Sequence, residues 1–120
     1  MRLKSHLQYE RDFCNLMNEQ GFHTERVAAS GRRKESVCDA VLFTLNKTYL
    51  VEVKSTKEKS FSLKRGLHGL LPVCSKHNVL PLLAVYFKSS HSSKGKGKWV
   101  FKIINDNLEK VSVNDGCDEF

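Results

Sequence analysis

The stretch TYLVEVKST, residues 48–56, decides the fold. Aromatic, aliphatic and β-branched side chains follow one another as in a β-strand. Within the run stand Glu52 and Lys54, two residues apart. Strand side chains alternate between faces, so these two charges share one face, and Tyr49, Val51 and Val53 share the other. The uncharged face is then the packed one, and the charged face needs a reason to exist.

A second apolar run precedes the first, from Ser36 to Leu45, and LNKT joins the two. Asn46 tolerates positive φ, so Asn46 and Lys47 are read as a two-residue hairpin turn. That turn pairs Leu45 with Thr48, Phe43 with Leu50, Val41 with Glu52, and Asp39 with Lys54. Cross-strand partners share a face, so Asp39, Glu52 and Lys54 are expected to project together. The same face carries Val41, Phe43 and Leu50, which must be covered.

The region before these strands has helical spacing, from about Leu3 to Gln20. Leu7, Cys14 and Met17 form an apolar stripe, and Glu10 lies in its middle. A buried carboxylate without a partner is costly, so Glu10 should meet a cation or a polar site. Three carboxylates (Glu10, Asp39, Glu52) and one lysine would thus converge under the helix. Such an oxygen-rich set suits Mg²⁺ or Mn²⁺ and metal-assisted phosphodiester hydrolysis. The competing reading is a structural ion-pair cluster. Glu-x-Lys by itself is weak, since both residues are common; the Asp39–hairpin–Glu52-x-Lys54 arrangement is much more specific.

The rest of the composition fits one small domain. The chain has 120 residues, 40% hydrophobic and 28% charged, with a net charge of +7. That is a globular composition of single-domain size. No apolar run reaches the roughly 20 residues of a membrane span, and the first residues lack the apolar core of a signal peptide, so the protein is expected inside the cell. The four cysteines, Cys14, Cys38, Cys74 and Cys117, have no zinc-site spacing and read as free thiols. Basic residues cluster at Arg32, Arg33 and Lys34, at Lys57 and Lys59, at Lys64 and Arg65, and in KGKGK, 94–98. A basic surface implies a polyanion such as nucleic acid; the alternative is a merely soluble surface.

Further strands are expected over Phe22–Ala29, Pro81–Phe87 and Trp99–Ile104, and a helix over Leu63–His77. Pro72 predicts a kink or a late start in that helix. Lys88–Lys98 reads as a Ser/Gly/Lys linker. The order is αβββαββ, an α/β fold with a central mixed sheet flanked by helices. One domain is expected over residues 1–111, followed by a loosely held acidic tail, 112–120.

These residues resemble the archaeal-type Holliday junction resolvases (Hjc/Hje) of the PD-(D/E)XK nuclease superfamily, which have a restriction-endonuclease-like fold. The resemblance covers about Tyr9 to Ile104. It rests on YERDF (residues 9–13), GFHTERVAASG (21–31), CDAVLF (38–43), LVEVKSTK (50–57) and LPLLAVYF (80–87). It implies that Asp39 and Glu52 bind a catalytic Mg²⁺, for which Mn²⁺ can substitute, with the Val53 carbonyl and Glu10 as further contributors. Lys54 would orient or activate the attacking water, and Ser30 would complete the site from a loop. Arg11 and Arg26 would hold phosphates. The implied partner is four-way junction DNA, bound by a homodimer that makes paired nicks with 5′-phosphate and 3′-hydroxyl ends. Cys38 stands where the superfamily name has proline.

Two alternatives remain at this level. One is a nuclease of the same superfamily acting on duplex DNA; the other is a non-catalytic nucleic-acid-binding module. Small size favours junctions over the first, and the intact Asp39, Glu52 and Lys54 set argues against the second. The five histidines suggest no role in chemistry, and Ser30 lacks the neighbouring histidine of a nucleophilic serine.

Overall fold

A computed structural model describes residues 5–27, 37–63, 69–88, 97–105 and 107–120. Helix α1, His6–Glu19, starts at Ser5, whose hydroxyl accepts the Gln8 N–H at 3.3 Å. That cap satisfies one of the donors a helix start leaves open. Gly21, at φ +94°, ends the segment in a conformation that favours glycine. The helix buries Tyr9, Glu10, Phe13, Cys14 and Met17.

The strands are β1 (His23–Arg26), β2 (Ala40–Phe43), β3 (Thr48–Thr56), β4 (Ser60–Ser62), β5 (Leu80–Phe87), β6 (Lys98–Ile103) and β7 (Lys110–Ser112). Five of them form the central sheet in the order β1-β2-β3-β5-β6. Among the described residues only the β3–β5 pair of this sheet is parallel, so the sheet is mixed as expected. A parallel neighbour requires a crossover, and helix α2, Leu70–His77, lies in that connection. Pro72 is the third residue of α2, within the first turn, where its missing N–H has no helical acceptor to lose. The proline therefore sets a late start.

Alternation along β3 is as the sequence predicts. Tyr49, Val51 and Val53 are fully buried, packed with Ala40, Leu42, Leu82, Ala84 and the apolar stripe of α1. The opposite face carries Leu83, Val85, Phe87 and Val100 against Leu70 and Cys74 of α2, with Val41 and Leu50 partly covered there. Phe43 remains substantially exposed.

The hairpin register differs from expectation by two residues. Phe43 pairs with Thr48, Val41 with Leu50, and Ala40 with Val51. The turn tip is Leu45–Asn46, not Asn46–Lys47. Thr44 explains it: its N–H and hydroxyl both donate to the Lys47 carbonyl, at 2.9 and 3.1 Å, and its Oγ1 accepts the Lys47 N–H at 3.1 Å. Leu45 is left in solvent, while Leu42 stays opposite Tyr49 in the core. Asp39 is therefore not the partner of Lys54. A shift of two preserves parity, so the face assignments survive it.

Strands β4 and β7 pair as a separate two-stranded sheet that the sequence reading did not contain. The expected boundary after residue 111 falls inside β7. The terminal segment is held rather than loose. Asp118 accepts the Ile103 N–H through Oδ2 at 2.8 Å and donates its own N–H to the Phe101 carbonyl at 2.8 Å. Phe120 packs against Phe22, Tyr49 and Phe101. An acidic composition predicted solvation; one terminal aromatic ring and two backbone bonds outweigh it. Among the described residues no helix is long and apolar enough to cross a membrane.

Candidate active site at the open end of the hairpin

Asp39 stands just before β2, and three backbone groups fix it. Its N–H donates to the Val51 carbonyl at 2.8 Å, and its carbonyl accepts the Val27 N–H at 2.8 Å. Its Oδ2 accepts the Val53 N–H at 2.8 Å. A side-chain oxygen thus occupies a place that a backbone carbonyl would fill in a continuing ladder. The carboxylate is held partly exposed at the rim of the sheet, close enough to act on Glu10 on one side and Glu52 on the other.

On the α2 face of β3, Lys54 Nζ lies 3.2 Å from Glu52 Oε1. Burial, and then the nearby Asp39 carboxylate, push the Glu52 carboxyl up to about 7, against the pull of Lys54. Among the described residues, two carboxylates with one ammonium leave an excess of negative charge, the condition that favours a bound cation.

Glu10 approaches from the other side. Helix α1 packs on the Tyr49–Val51–Val53 face, so Glu10 does not lie over Glu52 and Lys54 as the sequence suggested. It reaches Asp39 around the rim. Its side chain is nine-tenths buried, with Arg26 Nη1 3.7 Å from Oε1 and His6 Nε2 3.0 Å from Oε2. Burial first, then Asp39, raise the Glu10 carboxyl, while His6 and Arg26 oppose the rise. His6 Nε2 is also 3.9 Å from Asp39 Oδ2. Among the described residues, His6, Glu10 and Asp39 offer three donor atoms within 4.8 Å of one another, a group able to hold a metal ion.

His6 is the residue that sequence reasoning passed over. Its signal was available: it precedes Glu10 by four residues, one helical turn away on the same face. Arg11 is exposed on α1, and Lys57 and Lys59 are exposed in the turn after β3. The expected residues Ser30, Arg32, Arg33, Lys34, Lys64 and Arg65 lie outside the described residues. Cys38, next to Asp39, is buried, and burial with the Asp39 and Glu52 charges pushes its thiol up to about 11. That favours the neutral thiol, the less reactive form.

Comparison with known proteins gives one consistent picture. A family model described as archaeal Holliday junction resolvase (Hjc) matches residues 4–114. A crossover junction endodeoxyribonuclease of Sulfolobus islandicus rod-shaped virus 1 is 29% identical over 84 residues, 67% of this chain and 69% of that protein. The Archaeoglobus fulgidus Holliday junction resolvase Hjc superimposes with a TM-score of 0.66 at 20% identity, over 88% of this chain and 87% of that one. At that identity the superposition establishes the fold.

Proposed function

The chain belongs to the archaeal Holliday junction resolvase (Hjc) family, a family of junction-resolving nucleases, and we propose that it cuts four-way junctions by Mg²⁺-dependent phosphodiester hydrolysis at the rim around Asp39. The observation that carries this reading is the meeting of Asp39 with the Glu52–Lys54 pair on one side and Glu10 on the other. Asp39 and Glu52, with Glu10 and the Val53 carbonyl as further oxygens, would hold the ion. Their chemistry fits a hard divalent cation, which when bound would supply positive charge to the scissile phosphate and acidify a water.

The chain's own groups do the rest. Lys54, tethered by Glu52, orients the attacking water or stabilises the charge that develops on the phosphate. Ser30 would add a hydroxyl to the site, as the family resemblance implies. Arg11, Lys57 and Lys59, with Arg32, Arg33, Lys34, Lys64 and Arg65, hold backbone phosphates, contacts that position DNA without reading sequence. Arg26 serves Glu10 and offers its exposed part to a phosphate. A homodimer would present two sites to two opposed strands, giving paired nicks with 5′-phosphate and 3′-hydroxyl ends.

The test is to incubate the protein with a synthetic four-way junction, and with its component duplexes, in Mg²⁺, in Mn²⁺ and in EDTA. Symmetric junction cuts that require metal are expected. Equal cutting of duplex would overturn junction selectivity, and binding without cutting would leave only a nucleic-acid-binding module. Sedimentation at the assay concentration checks the dimer.

A further inference from the structure

We propose that His6 is a nitrogen ligand to the divalent ion of this site, making the centre a mixed imidazole–carboxylate one. This rests on the reading of the Asp39 rim as a metal centre and adds a donor that reading does not contain. The geometry is that of ligands to one ion. Metal–ligand bonds of about 2.1 Å place neighbouring donors about 3 Å apart and opposed donors about 4.2 Å apart. His6 Nε2 lies 3.0 Å from Glu10 Oε2 and 3.9 Å from Asp39 Oδ2, both within that range.

The three donors are also held in place independently of any ion. Ser5 caps the first turn of α1, where His6 sits, and so fixes its backbone. Glu10 is anchored from its other oxygen by Arg26, and Asp39 by the Val53 N–H. Ligating carboxylates typically carry such orienting bonds. The His6 side chain is half exposed, 51%, while that of Glu10 is only 10% exposed, so the imidazole forms the solvent side of the cluster where an ion would enter. Imidazole suits Mn²⁺ and later transition metals better than Mg²⁺, which prefers oxygen. A histidine here shifts the centre's preference towards Mn²⁺.

Pulsed electron paramagnetic resonance on the full chain loaded with Mn²⁺ reads this directly. Expected is ¹⁴N modulation from a coordinated imidazole, lost in His6→Ala while Mn²⁺ still binds, with Mn²⁺ affinity falling about tenfold or more and Mg²⁺ affinity falling less. His6→Gln, which keeps a polar side chain in the first turn, should lose the modulation equally. Mn²⁺ bound at a site that Asp39→Asn abolishes, but without ¹⁴N modulation in the wild type, would overturn the ligand role and leave the metal centre standing. No Mn²⁺ binding by the wild type would overturn both. Circular dichroism melting of each variant without metal confirms folding.

Discussion

The two sides of Asp39 solve one electrostatic problem differently. On the helix side, Glu10 is buried, but His6 and Arg26 face its two oxygens. On the strand side, among the described residues, Glu52 has Lys54 as its one ion-pair partner, and its carboxyl is pushed to about 7 by burial and by Asp39. The helix side has more of its charge answered within the protein, although burial and Asp39 still raise the Glu10 carboxyl. Among the described residues the strand side is the shorter of positive charge, and an ion held at Asp39, between the two sides, would answer it. Charge that the fold leaves uncompensated marks where the chemistry is expected.

That contrast can be broken by mutation. The largest effect is expected on cleavage from the strand side. Glu52→Gln should retain junction binding and lose cleavage, and Lys54→Ala should slow cleavage by about 10²–10⁴-fold. Cutting at the wild-type rate by either variant would move the active centre elsewhere.

Next comes stability without metal. Glu52 has a folded pKa of about 7, above its ordinary 4.5. Below pH 4.5 the folded and unfolded states are both protonated and the group has no effect. As pH rises to 7, the unfolded chain ionises first, and the folded state loses stability. Glu52→Gln should therefore be more stable than wild type at pH 8, on the order of 2 kcal/mol, and no different below pH 4.5. Chemical denaturation in EDTA checks this. Added Mg²⁺ should stabilise the wild type more than Glu52→Gln, which lacks one of the proposed ligands, because an ion bound only by the folded state stabilises it.

Arg26→Ala tests the helix side and should act in the opposite direction. It removes one partner of a buried carboxylate and should cost about 1–2 kcal/mol at pH 8. A smaller effect still is expected from Thr24→Val, about 1 kcal/mol. Thr24 Oγ1 donates to the Cys14 carbonyl and lies 3.0 Å from Asn18 Oδ1, clamping α1 to β1. Cleavage should change little there, since Glu10, Arg26 and Asp39 have other anchors. If Thr24→Val instead lowered cleavage as much as Lys54→Ala, the helix side would depend on that clamp alone.

The local pattern of the sequence settled a good deal. Period-two alternation assigned Tyr49, Val51 and Val53 to the core and Glu52 and Lys54 to the opposite face. Pro72 marked the start of α2 because a proline tolerates only the first turn. The Glu10 position in an apolar stripe announced a buried carboxylate with a partner. These are consequences of chain geometry within one element, and they need no knowledge of its neighbours.

Tertiary structure decided the rest. Alternation fixes parity but not register, so the hairpin could slide by two residues with every side chain on its proper face. The Thr44 hydroxyl and the Leu42–Tyr49 packing chose the actual pairing. The same limit applies to Asp39. Strand periodicity placed it on one face, whereas its carboxylate took the Val53 N–H and settled at the rim, where groups from both faces can meet it. Helix α1 packs on the face opposite Glu52, and only the three-dimensional course of the chain brings His6 and Glu10 round to Asp39. A terminal phenylalanine carries no periodicity, so the contacts of Phe120 had no local signal to read; His6 stood one helical turn before Glu10, but nothing local tied that pair to Asp39. Long-range partners are selected by packing and charge balance over the whole domain, which no single stretch of sequence encodes.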